Sequence, residues 1–261
     1  MIKLIASDID GTLLKEDTQD LNPEIFDVIR KLKEKGVRFT AASGRPYSSL
    51  HHLFGPVAED IYYITENGAG LIYEDQKISS GEIPKELALR IFKASREWPP
   101  CEPFVSCVDK SYTDSNNEEF FHIMHDVIHY DIEKVSSMDD IKKPFIKFAV
   151  CDFGSEAETL KHFKDLFGDE ITVVTAGKDW VDFIPDGVNK GIALEKMCNL
   201  MGISREECIA FGDEYNDTAM LEFAGTGYAM IPCAAGVEKY ADKRAESVLE
   251  VLKEILASLE D

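Results

Sequence analysis

The chain has 261 residues, enough for one large or two modest domains with a hydrophobic core. Its 28 basic and 49 acidic residues leave a formal charge of −21, a surface that repels nucleic acid and anionic membranes, so neither is expected as a partner. No apolar run reaches the ~20 residues of a membrane span, no signal-peptide pattern precedes the first strand, and the six cysteines lack any Cys-x-x-Cys pair, which together lead us to expect a cytoplasmic protein with reduced core thiols.

Residues 2–6 form an apolar run too short for a helix and read as a strand buried on both faces. Asp8-Ile9-Asp10-Gly11-Thr12-Leu13 follows at once, at the carboxyl end where open α/β sheets place their ligand crevices. Gly11 permits a turn that would bring Asp10 back beside Asp8. Asn22-Pro23 opens a helix whose Ile25, Val28, Ile29 and Leu32 share one face, and Gly36 ends it. A strand over 37–42 then runs into Ser43-Gly44-Arg45. Strand, helix and strand of this length imply a parallel right-handed unit, which sets Ser43 at the same sheet edge as Asp8. Ser43 reads as a phosphate ligand, as the N-cap of the helix that Pro46 begins, or as both. After a third strand over 61–64, Asn67-Gly68 reads either as part of a ligand pocket or as a hairpin turn into 71–73.

From about residue 83 to 185 the pattern restarts, with helices expected at 84–92, 116–129 and 155–167 and strands at 104–108, 145–151, 171–175 and 180–184. Ser155 and Glu158 have the spacing of a capping box, and Gly177-Lys178-Asp179 that of a hairpin turn. His122, His125 and His129 fall on one helical face, solvated or metal-binding. Asp182 beside Trp180 reads as a sugar contact or as a satisfied structural acid. A hundred residues with their own strands and helices form an independent α+β layer, and Pro185-Asp186-Gly187 is the candidate hinge back. Asn189-Lys190-Gly191 opens the next helix with a lysine against the helix dipole, a local conflict expected at functional sites. A buried strand over 208–211 ends in Gly212-Asp213, and Asn216 or Asp217 is expected to cap the helix after it. A strand over 226–231 is the last one expected before the final helix.

These pieces carry a resemblance. Asp8 to Leu13 resembles motif I of the haloacid dehalogenase (HAD) superfamily of phosphotransferases, Ser43-Gly44-Arg45-Pro46 motif II, Asn189-Lys190-Gly191 motif III, and Gly212-Asp213-Glu214-Tyr215-Asn216-Asp217 motif IV. Their order and spacing resemble the Cof-type branch, subfamily IIB, across essentially the whole chain. The resemblance implies an α/β fold: a Rossmann-like parallel-sheet core from residues 1–82 and 186–261, with an α+β cap at 83–185 that sets specificity. It also implies a Mg²⁺-dependent phosphatase acting on small phosphorylated metabolites, sugar phosphates or related phosphomonoesters, as a monomer or weak homodimer. In that scheme Asp8 is the nucleophile that becomes an aspartyl-phosphate and Asp10 the general acid and base. Asp8, Asp213 and the backbone carbonyl of Asp10 bind the metal, with Asp217 near the ion. Ser43 and Lys190 take the equatorial phosphate oxygens, and Gly11, Thr12, Gly44, Arg45, Asn67 and Asn216 complete the phosphate and substrate contacts; Arg45 alternatively braces its loop. The residues point the same way, because four carboxylates converging on one sheet edge cannot all ionise without a cation, and oxygen-only ligands select a hard ion. A phosphomutase of the phosphomannomutase type is the alternative, weakened because the cap region has only Arg90 and Arg96 as arginines. A non-catalytic binding relative should have lost one of the carboxylates. The family's Asp-Gly-Val type of turn before the last helix is absent.

Overall fold

Leu4, Ile5 and Ala6 have no exposed surface, the burial that a continuous apolar run in a parallel sheet requires. They belong to β1 (Leu4–Ser7) of a computed structural model that describes residues 1–14, 20–74, 76–98, 101–108, 110–175 and 179–259. The chain continues through α1 (Glu24–Glu34), β2 (Arg38–Ala42), α2 (Tyr47–Leu53), β3 (Tyr62–Thr65), β4 (Gly70–Tyr73) and β5 (Gln76–Ser79). Next come α3 (Lys85–Arg96), β6 (Cys101–Ser106), β7 (Ser111–Thr113), α4 (Glu118–His122), β8 (Ile132–Lys134), β9 (Lys147–Asp152), α5 (Glu156–Phe167), β10 (Thr172–Thr175) and β11 (Trp180–Ile184). The last stretch holds α6 (Lys190–Met201), β12 (Cys208–Gly212), α7 (Thr218–Phe223), β13 (Thr226–Met230), β14 (Lys243–Ala245) and α8 (Val248–Ser258). Two compact units result: Met1–Arg45 with Leu50–Gln76 and Asn189–Asp261, and Pro46–Ser49 with Lys77–Val188. From the sequence alone the division is expected at 82/83 and 185/186.

In the first unit the strand order is β14-β13-β12-β1-β2-β3-β4. All pairings from β14 to β3 are parallel, and β3 and β4 form an antiparallel hairpin. Register sets Ser7 beside both Ala41 and Phe211, so the residues after β1, β2 and β12 emerge together at the carboxyl edge. α1 buries Ile25, Val28, Ile29 and Leu32, the face read from the sequence, and Gly36 at φ +81° lets the Val37 N–H close on the Leu32 carbonyl. β14 was not legible: Lys243 and Arg244 are exposed, as suits an edge strand, and leave no apolar pattern.

In the second unit the sheet order is β10-β11-β9-β6-β7-β8, antiparallel except for β7 with β8. α3 and α5 supply Leu87, Ile91, Phe163 and Phe167 to one core with Phe148, Val150, Val181 and Phe183. Phe183 meets Phe148 and Phe163 edge-on at ring distances of 5.5 and 5.2 Å. Phe104, Ala149 and Cys151 form a second cluster with Phe120 and Met124, and Trp180 packs against it.

Several expectations are corrected here. The helix expected over 116–129 stops early: α4 passes into a π-turn over Ile123–Val127, and His129 sits at φ +56°, off the helix. His122 and His125 bind the two carboxylate oxygens of Asp126 at 2.7 and 2.8 Å, so the three histidines do not form one ligand face. Ser155 begins α5 without a side-chain capping bond. Of the expected hairpin turn, Gly177 and Lys178 lie outside the described residues. All six cysteines are free thiols, five of them buried. Among the described residues, no helix is long and apolar enough to cross a membrane.

The seat of α6 against α7 yields a test. A glycine-to-alanine change inside a helix ordinarily stabilises by about 1 kcal/mol. At Gly191, however, a Cβ would lie 2.4 Å from the Ala219 carbonyl oxygen, which is backbone and has no room to step aside. Gly191→Ala is therefore expected to destabilise the protein by about 1–3 kcal/mol in urea unfolding. A variant as stable as the parent would show that the α6–α7 spacing is not set there.

Candidate active site

The carboxyl edge of the first sheet gathers Asp8, Asp213 and Asp217, each of which can point one oxygen to within 4.8 Å of the others. Among the described residues this is the one group of three acids, cysteines or histidines that could hold a metal ion. Asp8 follows β1, with its N–H on the Phe211 carbonyl at 2.9 Å. Asp213 follows β12, and Thr12 Oγ1 donates to its Oδ1 at 2.6 Å. Asp217 ends a short turn before α7 and is fully buried. Its Oδ2 accepts the N–H groups of Asp213 and Glu214, each at 3.0 Å, which folds it back under the loop. The expected cap on α7 is therefore made by neither Asp217 nor Asn216, whose side chain reaches Asn67 instead.

Lys190 is 1 % exposed, and its Nζ donates to Asp8 Oδ1 at 2.5 Å and to Asp217 Oδ1 at 2.6 Å. Burial alone would depress its pKa, but the carboxylates of Asp217 and Asp8 outweigh that and hold it above the ordinary lysine value. Three carboxylates thus face one ammonium, a surplus of two negative charges. The surplus registers on the acids. Burial, then the Asp217 charge, raises Asp8 well above the usual carboxylate range despite Lys190. Asp213 is pushed up to about 6, chiefly by burial, with Asp217 and Glu214 adding to it against the Thr12 hydrogen bond. An oxygen-only donor set short of two positive charges fits a hard divalent cation.

Two glycines make the cluster geometrically possible. Gly11 sits at φ +87°, and a Cβ there would meet Asp213 Oδ2 at 2.2 Å; a Cβ on Gly212 would meet the Asp217 Cβ at 2.4 Å.

The other expected residues lie in two groups. The sequence places Asp10 beside Asp8, but its half-exposed carboxylate instead takes both Nε and Nη2 of Arg45, at 2.9 and 2.5 Å, outside the three-acid group. Ser43 is buried, and its Oγ accepts the Arg45 N–H at 3.2 Å, a local turn ahead of α2 and not the helix N-cap that was one of its readings. Asn67 is buried in the β3–β4 hairpin turn, where its N–H donates to the Ser43 carbonyl at 3.0 Å and Asn216 Nδ2 donates to its Oδ1 at 3.0 Å. The hairpin turn, one of the two readings of Asn67, is present, and it packs against the Ser43 and Asn216 loops. Gly44 lies flat against the Asn67 amide. Unforeseen were the role of Asn189, whose Oδ1 caps α6 by accepting the Ile192 N–H at 2.9 Å, and the burial of Glu66 in the same turn as Asn67. The first has a local signal, an asparagine directly before the helix; the second has none.

Residues 5–251 match the family model of haloacid dehalogenase-like hydrolases, and the chain belongs to that family. It is 30 % identical over 263 aligned positions to the 5-amino-6-(5-phospho-D-ribitylamino)uracil phosphatase YbjI of Escherichia coli K12, with 98 % of this chain and 96 % of that one covered. Identity to the HMP-PP phosphatase of Escherichia coli O6:H1 is 26 %, covering 88 % and 84 %. A solved structure from Eubacterium rectale shares the fold at a TM-score of 0.84 and 29 % identity, covering 97 % of this chain and 99 % of that one.

The raised acids give stability a pH dependence when no cation is present. Folded Asp213 keeps its proton up to about pH 6, whereas the unfolded carboxyl releases it near 3.8. The folded state binds more protons across that window, so stability falls as pH rises through it, and Asp8 contributes with the same sign. In excess chelator, urea unfolding should show this decline, and Asp213→Asn should flatten it. An unchanged slope in the variant would exclude Asp213 as the titrating group.

Proposed function

We propose that the chain is a Mg²⁺-dependent phosphatase of small phosphomonoesters, sugar phosphates or related metabolites, working through an aspartyl-phosphate at Asp8. The observation that carries this is the buried Lys190 ammonium joined to Asp8 and Asp217, with Asp213 completing a three-acid group at the carboxyl edge of a parallel sheet. The relatives named as phosphatases support it. On this reading the first unit performs the phosphoryl chemistry and the second selects the organic part of the substrate.

Asp8, Asp213 and the Asp10 backbone carbonyl would hold Mg²⁺, with Asp217 close by. Bound there, the ion supplies charge neutralisation and polarises the phosphoryl group. The Asp8 carboxylate attacks phosphorus in line, and the bond from phosphorus to the ester oxygen breaks. Asp10, both of whose oxygens Arg45 holds, leaves that clasp, takes up a proton and gives it to the leaving oxygen. It then takes a proton from water, whose oxygen attacks phosphorus and returns Asp8 as a free carboxylate with release of inorganic phosphate. Lys190 balances the charge on Asp8 and on the equatorial oxygens. Ser43 Oγ, already accepting from Arg45, has its own proton to donate to the phosphate.

The mutase alternative loses ground on a specific observation. A mutase needs cations for the second phosphate of its substrate, yet Arg90 is bound by both oxygens of Glu170 at 2.7 and 2.8 Å, and Arg96 is paired with Asp114 and Glu102.

Two measurements test the reading. Phosphate release should require Mg²⁺, stop in excess chelator and be inhibited by Ca²⁺, whose looser and more numerous oxygen ligands disturb in-line geometry; full turnover in chelator would sink it. Asp8→Asn should abolish phosphoenzyme formation. Asp10→Asn should still form some but lower turnover by about 10²–10⁴-fold, with dephosphorylation the stalled step. Near-parental rates in Asp8→Asn would place the nucleophile elsewhere.

A further inference from the structure

The turn between β3 and β4 touches three separate loops of the site. Glu66, Asn67 and Gly68 take φ values of +52°, +56° and +101° in succession. Such backbone costs on the order of 1–3 kcal/mol for each non-glycine residue and persists only where its surroundings hold it. The holding contacts are specific. The Glu66 N–H donates to the Arg45 carbonyl at 3.1 Å, and the Asn67 N–H to the Ser43 carbonyl at 3.0 Å. A Cβ on Gly44 would come within 3.2 Å of both terminal atoms of the Asn67 amide. Asn216, ahead of α7, donates its Nδ2 to Asn67 Oδ1 at 3.0 Å. A Cβ on Gly68 would lie 2.4 Å from the Asn189 carbonyl oxygen and 3.1 Å from the Lys190 nitrogen. A hairpin closed by Asn-Gly requires none of this and ordinarily leaves its asparagine in water. Here Asn67 is 5 % exposed.

We infer that Asn67 is a positioning residue: its amide, tied to Asn216, holds the Ser43–Arg45 loop and the Lys190 end of α6 at the spacing that receives a phosphoryl group, without itself binding phosphate. The inference rests on the phosphatase reading for its kinetic consequences and adds to it a coupling between hairpin and loops. Losing the Asn216 bond frees the amide to rotate and lets the turn relax toward ordinary backbone. The Ser43 and Arg45 carbonyls anchored on it then shift, and sub-ångström misplacement of binding groups is costly.

Asn67→Gly is the informative variant, because glycine deletes the amide and adds no strain of its own at a positive φ, so any loosening of the turn comes from losing the tie to Asn216. With p-nitrophenyl phosphate as the probe, KM should rise about tenfold while kcat stays within about threefold, the signature of binding lost equally from ground and transition states. The inhibition constant of inorganic phosphate should rise by the same factor. Asn216→Ala should match these changes, and the double variant should go no further, because the two residues act as one unit. Additive effects would overturn the inference in favour of two separate phosphate contacts, and an unchanged KM would reduce Asn67 to a turn residue. Amide hydrogen exchange over residues 43–45 supplies an arm independent of turnover: it should quicken in both single variants, and unchanged exchange would overturn the positioning role. A parent enzyme with no turnover on any monoester, but with this exchange coupling intact, would instead remove the phosphatase reading alone.

Discussion

The first turn of an α-helix repels cations, and an ammonium with 1 % of its surface exposed has no water to compensate it, yet Lys190 occupies both situations. It is tolerated because Asp8 and Asp217 each accept one of its protons. Deleting either partner from such a buried group typically costs about 3–5 kcal/mol, so the three residues stand or fall together. Much of the first unit follows from this contact. Asp217 must fold back beneath the β12 loop, which requires Gly212; α6 must approach α7 closely, which requires Gly191; the hairpin turn must pass the start of α6, which requires Gly68. The charges do not balance within the cluster, and burial, with neighbouring acids adding to it, raises the pKa values of Asp8 and Asp213.

Two carboxylates separated by one residue thus reach opposite environments. Asp8 is buried among acids and one lysine, whereas Asp10 is half exposed and clasped by Arg45. β1 places Asp8 by strand register, and the turn at Gly11 sends the next acid to a different loop.

The second unit has a buried pair of its own, with different partners. Lys147 and Asp182 meet at 3.2 Å, each almost without exposed surface, on strands β9 and β11. Burial raises Asp182 in spite of the lysine, so the pair is held by the sheet rather than by favourable solvation. Asp182 is the satisfied structural acid of the two roles its sequence position suggested. The histidines of the α4 region are likewise engaged locally, by Asp126.

What the sequence by itself determined is what short-range chemistry encodes. The apolar run before Asp8, the Ile25–Leu32 face of α1 with Gly36 at its end, and the lysine of α6 set against its helix dipole are all legible within a few residues. So are the motif positions, because parallel strands of one sheet must end at one edge. Only the tertiary structure decided which side chains pair across that edge. That Arg45 takes Asp10, that Asn216 takes Asn67 across 149 residues of chain, and that Asp217 turns back to the Asp213 amide depend on strand register and loop approach. The early end of α4 in a π-turn and the short exposed strand β14 escaped for the related reason that their stabilising contacts lie in the folded chain. Residue spacing records which face an element buries; the partner across a gap is set by the distances that folding alone creates.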